Sequence, residues 1–174
     1  MSIPKKPLQA KLIVGVFMQD KRLFHGILPM LKTEFGVIDI ISSWFDFDYT
    51  DYYEEEMGRS LFRRVVVFKN LIDIENLAHI KLSTNAIEKQ YEEDGCRKIN
   101  IDPGYMLPSR FILATGKDYS HRIYIGENIW ADLTLIYKDR DFCTLDWTYP
   151  DYAAEDMRAF LLKVRSKYLL DLAQ

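Results

Sequence analysis

The chain has 174 residues, of which 48% are hydrophobic and 28% charged, and its formal net charge at pH 7 is −3. A chain of this length and composition buries enough apolar surface to fold without disulfides or metals, which argues against a disordered, collagen-like or coiled-coil protein. The negative charge argues against a non-specific nucleic-acid binder, because such proteins are usually strongly basic.

Residues 1–9 are interpreted as a flexible leader and residues 10–174 as a single α+β domain. The first apolar run, residues 12–18, is too short to span a membrane, and no cleavage-site pattern follows it, so neither an anchor nor a signal peptide is expected. The two cysteines, Cys96 and Cys143, form no CxxC pair. They are expected to be reduced, as in a cytoplasmic protein, and a disulfide is the minor alternative.

The first half of the chain shows alternating strand and helix patterns. The β-branched run at residues 10–18 predicts a buried strand, and the apolar spacing after it predicts a helix that Pro29 must kink or split. Two strands, a second helix and a fourth strand follow, and the fourth strand ends at the turn signal Asp102-Pro103-Gly104. The predicted ranges are 20–35 for the first helix, 37–49 and 59–68 for the two strands, 73–93 for the second helix and 97–102 for the fourth strand.

The second half of the chain predicts a β-meander and a final helix. Residues 109–115 are ambiguous between a short helix and a strand, and Gly126-Glu127-Asn128 predicts the turn of a hairpin. An apolar stripe on the final helix is predicted to dock on the sheet. The predicted ranges are 121–125 and 129–137 for the hairpin, 141–147 for a short strand and 151–172 for the helix, whose stripe is Met157, Leu161, Val164 and Tyr168.

The order β-α-β-β-α-β at the start of the chain matches the ferredoxin-like pattern. We therefore predict an α+β fold with a ferredoxin-like core and a mostly antiparallel sheet, which the C-terminal hairpins extend and the final helix completes. The helices are expected on one face of this sheet, and the apolar first strand is expected in its interior.

The segment 44–58, WFDFDYTDYYEEEMG, combines six acids with six aromatics and contains no basic residue. Its simplest interpretation is a strand end followed by a solvated acidic loop. One alternative is a cation-facing site that includes Glu56 as a catalytic candidate, since hard metal ions take clustered carboxylates. The regular oxygen spacing of a calcium loop is missing, so no metal ligands are assigned. Another alternative is a surface at residues 49–53 that binds a partner protein.

Two further segments carry candidate site residues. Asp102, at the predicted strand end, is a candidate general base or ligand contact, although it could simply cap the turn. Lys117, His121 and Arg122 bring three cationic or titratable groups into six residues. Lys117 and Arg122 suit a carboxylate or phosphate, and His121 suits proton transfer near neutral pH. The alternative is a set of exposed loop charges.

Two tyrosines and one ion pair complete the candidate site. Tyr105 and Tyr124 are candidate stacking or hydroxyl partners of a ligand. Asp132 can face Arg122 across the predicted hairpin, which would be a structural ion pair as readily as part of a site. Asp151, before the final helix, is interpreted as a helix cap. We expect Asp102, the segment around His121 and the acidic segment to meet in space.

The motifs WF-FD-T-YY--EMG, N-DPGY, LAT-K-YSHRIY-G and L-WTYPDY resemble those of a bacterial family catalogued as domain of unknown function 4416. They occur here, in the family's order, at residues 44–58, 100–105, 113–126 and 145–152. Trp130 departs from the pattern, since family members more often carry Tyr there. The resemblance implies these motifs as a signature and implies no mechanism.

Members of that family are sometimes labelled GTP-binding, but the residues here do not form a P-loop. A P-loop needs GxxxxGK[ST], because its backbone amides wrap the phosphates, whereas Gly116-Lys117 is followed by Asp118. A nucleotide could still bind through another fold.

Three functions are therefore compared. The first is binding of an anionic small molecule, such as a nucleotide or phosphorylated metabolite, with chemistry performed on it as a further step. The second is a non-catalytic module that binds a protein partner or a second copy of the chain. The third is an RNA-associated protein, which the absence of an RNA-recognition signature and the negative charge make the weakest of the three. No cofactor is assigned.

Overall fold

The computed structural model describes residues 1–49 and 53–173 of the chain. Residues 1–9 are exposed and lie outside any helix or strand. The helices are α1 (Leu23–Phe35), α2 (Glu54–Met57), α3 (Leu77–Lys89), which a 3₁₀ turn at Ile74–Asn76 precedes, α4 (Pro150–Ala153) and α5 (Glu155–Leu172). The strands are β1 (Ala10–Met18), β2 (Ile38–Ile41), β3 (Phe45–Phe47), β4 (Leu61–Ile72), β5 (Glu92–Glu93), β6 (Cys96–Arg97), β7 (Ile99–Leu107), β8 (Arg110–Thr115), β9 (Arg122–Gly126), β10 (Ile129–Lys138) and β11 (Asp141–Thr144).

Nine of the strands form one sheet in the order β11-β10-β8-β7-β1-β4-β2, with β3 also paired to β4 and β9 also paired to β10. Strands β5 and β6 form a separate small hairpin. The strand pairs of the large sheet are antiparallel. The prediction of a mixed α and β fold with a large antiparallel sheet is confirmed, and β1 lies in the sheet interior between β4 and β7 as expected.

Helices cover both faces of the sheet, so the expectation that they lie on one face is wrong. Side chains at even positions of β1, such as Val14, pack with residues of α1 and α3, while Ile13 packs with residues of α5. The reason is visible in the strand itself, because each of its side chains is buried. A strand that is apolar on both faces needs cover on both faces.

The apolar stripe of α5 docks on the sheet as predicted. Met157, Leu161, Val164 and Tyr168 are all buried in one cluster with Ile13. On the opposite face, α1 buries three apolar side chains and continues through Pro29 as one helix.

The predicted strand at 37–49 is divided into β2 and β3, which both pair with β4. Ser42 lies at the break, where its hydroxyl accepts the backbone N–H of Val65 at 2.9 Å. The ambiguous segment at 109–115 is strand β8. The turn at residues 126–128 connects β9 and β10, and all three of its residues have positive φ.

The predicted turn at Asp102-Pro103-Gly104 is wrong, because β7 runs straight through these residues. Strand β1 pairs with β7 from Ile99 to Met106, but β8 pairs with β7 only from Gly104 onward. Pro103 therefore lies where β7 and β8 separate. A proline has no N–H to donate, so it is tolerated in a strand at such an unpaired position.

Candidate functional site

A cavity of about 900 Å³ lies where β7 and β8 separate. Asn100 and Asp102 line it from β7, and the end of β8 with the loop after it lines the other side. The separation leaves Ile101 of β7 without a strand partner on this side. Two side chains of α3 replace that partner: Lys81 donates to the Ile101 carbonyl at 2.8 Å, and Glu88 accepts the Ile101 N–H at 2.6 Å.

Gly15 makes room for polar groups against the centre of the sheet. It lies in β1 directly between Val65 of β4 and Asp102 of β7. A Cβ atom at this position would lie 2.8 Å from the Tyr152 hydroxyl and 3.7 Å from Arg63 Nη1. Because glycine has no side chain, the Tyr152 hydroxyl and Arg63 Nη1 can occupy the space that a side chain at position 15 would fill.

Arg63 is a fully buried cation at this point. Its Nη1 lies 2.5 Å from Asp151 Oδ2, and its Nη2 lies 3.4 Å from Asp102 Oδ2. Aromatic rings surround the guanidinium, with ring centroids 4.9–5.0 Å from its central carbon. Burial opposes the charge, but Asp151 and its other neighbours outweigh burial and raise the pKa of Arg63, so it stays charged.

Arg97 connects the acidic segment to the cavity. It holds Glu56 through two hydrogen bonds, from Nε to Oε1 at 2.6 Å and from Nη2 to Oε2 at 2.7 Å. These bonds lower the pKa of Glu56 despite partial burial, and the charge of Lys117 lowers it further. Arg97 Nη1 also donates to Asn100 Oδ1 at 2.9 Å. Since arginine can only donate, this bond fixes the Asn100 amide with its oxygen toward Arg97.

Arg122 connects the loop after β8 to β10 and to the segment before α4 through three hydrogen bonds. Its Nε donates to Asp132 Oδ2 at 3.0 Å, its Nη1 to the Lys117 carbonyl at 2.9 Å and its Nη2 to the Tyr149 hydroxyl at 2.6 Å. Asp132 is almost fully buried and lies opposite Arg122 in the β9–β10 pairing, as the hairpin alignment predicts. Burial is the main cause that raises the pKa of Tyr149.

His121 shares Asp132 with Arg122. Its Nε2 lies 3.2 Å from Asp132 Oδ2. Its ring stacks on Trp147 with centroids 4.8 Å apart and an interplanar angle of 11°. The imidazole is therefore held between a carboxylate and an indole.

Buried polar atoms without a protein partner are concentrated at this cavity. Among the described residues there are six such side-chain atoms, and five of them belong to four residues that line it. Arg63 Nη1 and Asp151 Oδ2 face each other as an ion pair. Among the described residues, the cavity atoms that then remain without a partner are Arg63 Nε, Asn100 Nδ2 and the Tyr152 hydroxyl. Buried polar groups are normally satisfied, so each of these exceptions needs an explanation.

The structure brings some of the predicted site residues together and leaves others apart. Asp102, Lys117 and Arg122 all line the cavity. Glu56 contacts it through Arg97, and His121 contacts it through Asp132.

Tyr105 and Tyr124 lie away from the cavity. Tyr105 is buried in an apolar cluster with Ile112. Tyr124 is exposed on β9, with its ring edge-on to Trp130. In the acidic segment, Tyr49 and Tyr53 line the cavity, whereas Asp51 and Tyr52 lie outside the described residues.

Sequence reasoning missed several residues that build the site. Asp151, interpreted as a helix cap, is the ion-pair partner of Arg63. Two signals in the sequence pointed to this region: Gly15 inside an apolar run, which suggests a close approach, and a pair of basic residues, Arg63 and Arg64, immediately before a buried apolar run. Neither signal identifies its partners, because those come from distant segments.

The described part of the chain holds no group of three or more His, Cys, Asp or Glu residues placed to bind a metal ion. Within the same residues, every helix is too short or too polar to cross a membrane.

Comparison with known proteins gives one match. A family model described as Domain of unknown function (DUF4416) matches residues 8–168, nearly the whole chain, and confirms the resemblance seen in the motifs. Neither the curated proteins nor the solved structures contain a match to this chain.

Proposed function

The chain belongs to the DUF4416 family, and we propose that it binds an anionic small molecule, such as a nucleotide or phosphorylated metabolite, in the cavity between β7 and β8. The observation that carries this proposal is a pair of buried donors, Arg63 Nε and Asn100 Nδ2, which line the cavity and have no partner within the described part of the chain. A ligand with acceptor atoms would satisfy them. The cavity volume of about 900 Å³ also falls in the range of small-molecule sites, roughly 300–1,000 Å³.

The anionic group of the ligand is best placed at Lys117. This residue is exposed at the mouth of the cavity, at the start of the loop that Arg122 ties together. Arg122 uses three of its nitrogens within the protein, but a guanidinium has five N–H groups, so it retains donors for a ligand. A lysine ammonium and an arginine fork together suit a phosphate.

Chemistry on the ligand would depend on Asp102. Of the three predicted catalytic residues it is the one that lines the cavity, and its carboxylate is partly exposed there. Its contacts with Arg63 and Lys81 are long, at 3.4 and 3.8 Å. We assign it as the candidate proton acceptor, with His121 and Glu56 as positioning residues that act through Asp132 and Arg97.

The alternative functions have weaker support. Tyr53 packs edge-on against Phe17 at 4.8 Å and lines the cavity, which favours a role in ligand binding over a flat docking surface at residues 49–53. Helices pack on both faces of the central strands, so an open aromatic sheet for stacking RNA bases lacks support.

We also propose a ferredoxin-like core for the sheet and a cytoplasmic location for the protein. The strand order β7-β1-β4-β2, antiparallel throughout, supports a ferredoxin-like core to which the remaining strands are added. The unpaired thiols of Cys96 and Cys143 support a cytoplasmic location.

A thermal-shift experiment tests the proposal. The probes are pyrophosphate, ribose 5-phosphate and the four common ribonucleoside monophosphates. A probe at 100 times its dissociation constant adds about 2.7 kcal/mol, which raises the melting temperature of a protein of this size by roughly 5–11 °C.

Lys117→Ala should reduce that rise, measured for each variant as the difference between its own melting temperatures with and without the probe. Lys138→Ala is the matched control, because Lys138 is an exposed lysine on a different turn, beside Asp139. The proposal is wrong if no probe at millimolar concentration raises the melting temperature, or if both lysine variants respond as the wild type does.

A further inference from the structure

We infer that the ligand is a nucleotide that enters the cavity base first, with the edge of the base between Asn100 and Asp102 and the phosphate at Lys117. This inference rests on the proposed function and specifies the class and the orientation of the ligand. It follows from the charge at the deep end of the cavity, the hydrogen-bonding groups there and the aromatic walls.

The charges at the deep end disfavour a phosphate. The buried or half-buried cations are Arg63, Lys81 and Arg97, and the carboxylates beside them are Glu56, Glu88, Asp102 and Asp151. Three positive charges thus face four negative ones, and a bound phosphate would add to the negative excess. The group that binds there is therefore uncharged, and the anionic group stays near the exposed Lys117.

The deep end offers one hydrogen-bond donor and one acceptor side by side. Asn100 is 4% exposed, and Arg97 holds its amide oxygen. Its Nδ2 is left without a partner among the residues that the structure describes. Asp102 lies two residues along β7, so both side chains project from the same face of the strand. Its oxygens lie 3.4 Å from Arg63 and 3.8 Å from Lys81, both long contacts.

A planar group with adjacent acceptor and donor atoms fits this pair. Asn100 would donate to the acceptor, and Asp102 would accept from the donor. Each nucleobase carries such atoms along its Watson–Crick edge, whereas the phosphate and hydroxyl groups of a sugar phosphate carry no fixed planar edge.

Aromatic side chains also line the cavity. Phe47 and Tyr53 lie near Arg63, and Tyr149 bonds to Arg122 through its hydroxyl. Stacking on aromatic rings contributes to the binding of any base, since every base has a π-face.

Calorimetry measures the affinity of the protein for three sets of compounds, which differ in whether they carry the base, the phosphate or both. Ribose 5-phosphate lacks the base, the four nucleosides lack the phosphate, and the four nucleoside monophosphates carry both. At least one monophosphate should bind about tenfold more tightly than ribose 5-phosphate. Asn100→Leu should remove that advantage and leave the affinity for ribose 5-phosphate within about twofold.

Two variants test separately the end of the cavity that would bind the base and the end that would bind the phosphate. Asp102→Asn should change the order of preference among the four monophosphates, because it adds a donor where the protein had only an acceptor. Lys117→Ala should weaken ribose 5-phosphate and the monophosphates alike and leave the nucleosides unaffected. Asn100→Ser replaces Asn100→Leu if the leucine variant does not fold.

The outcomes distinguish this inference from the proposed function. If ribose 5-phosphate binds as tightly as every monophosphate and Lys117→Ala weakens it, anion binding stands and the base-first orientation is wrong. The orientation is also wrong if the Asn100 and Asp102 variants keep the wild-type preference among bases. If none of the phosphate compounds binds, the proposed function and this inference both fail.

Discussion

Gly15 interrupts the apolar run at residues 12–18 of β1, and its missing side chain leaves room for the Tyr152 hydroxyl against the sheet. At the scale of single residues, the site depends on such local exceptions. Arg63 is a cation inside a hydrophobic cluster, and Asn100 is an amide whose donor has no protein partner. Each of these costs stability by itself unless a partner compensates it, and Asp151 compensates Arg63.

Gly15→Ala should destabilise the protein by about 1–3 kcal/mol, because the added methyl would overlap the buried Tyr152 hydroxyl and overpack the core. The free energy of unfolding in urea measures this change. Gly116→Ala is the control, since a Cβ at that position would have no described heavy atom within 4 Å apart from Gly116 itself and its two chain neighbours.

If the overlap with the Tyr152 hydroxyl destabilises Gly15→Ala, removal of that hydroxyl should restore most of the lost stability. In a Tyr152→Phe background the hydroxyl is gone, so Gly15→Ala should cost much less than it does in the wild type. An equal cost in both backgrounds would show that the glycine is needed for some other reason.

At the scale of elements, the separation of β7 from β8 creates the cavity, and α3 makes the separation possible. Without side-chain partners from α3, the N–H and C=O groups of the buried Ile101 would be unpaired, which costs about 1–3 kcal/mol for each group. Lys81 and Glu88 satisfy them instead. Lys81 and Glu88 also line the cavity. The two side chains that stabilise β7 where it separates from β8 therefore also contribute charge to the site.

Helix α5 packs through its apolar stripe on the face of the sheet opposite to α1 and α3. Leu161 lies within that stripe and is fully buried. Leu161→Ala should lower the free energy of unfolding by about 2–5 kcal/mol, because it leaves a cavity in a packed cluster. Leu170→Ala, at an exposed position of the same helix, should change it by less than about 0.5 kcal/mol. Similar losses for the two variants in chemical denaturation would contradict the docking.

At the scale of the whole molecule, one buried lysine connects elements from both ends of the chain. Lys11 of β1 lies 3.1 Å from Asp39 of β2 and 2.5 Å from Asp171 of α5, and it donates to the Lys69 carbonyl of β4 at 3.2 Å. Lys167 also contacts Asp171. This cluster fixes the last turn of α5 to the sheet.

Asp171→Asn should lower the free energy of unfolding by about 1.5–3 kcal/mol near neutral pH, because a charged hydrogen bond to a buried lysine is lost. Burial alone would raise the pKa of Asp171, but hydrogen bonds from Lys11 and Lys167 outweigh it and lower the pKa. A lowered pKa gives stability that is present above the unfolded-state value, about 3.9, and lost as the pH falls through the folded-state value.

The difference between wild type and Asp171→Asn should therefore be constant from about pH 7 to pH 5 and shrink below about pH 4. Urea titrations across this range measure it. Asp139→Asn is the control, because Asp139 is exposed and its contact with Lys138 is 3.9 Å long. A difference that stayed the same down to pH 3 would show that the charge of Asp171 does not stabilise the fold.

The sequence by itself determined the features that depend on local periodicity. The β-branched run of β1 predicted a buried interior strand, the three-and-four spacing in α5 predicted its docking stripe, and the residues at 126–128 predicted the hairpin turn. These signals are readable because each element carries its own pattern of buried and exposed positions. The same patterns placed Arg122 opposite Asp132.

Only the tertiary structure decided which polar residues share a cavity. Asp102-Pro103-Gly104 has the composition of a turn, yet pairing with β1 keeps it extended, because hydrogen bonds across the sheet outweigh a local turn preference. Arg63 meets Asp151, and Asn100 meets Arg97, through strand order and helix placement. No spacing along the chain encodes such meetings, since they depend on which strands separate and which side chains the separation leaves without a partner.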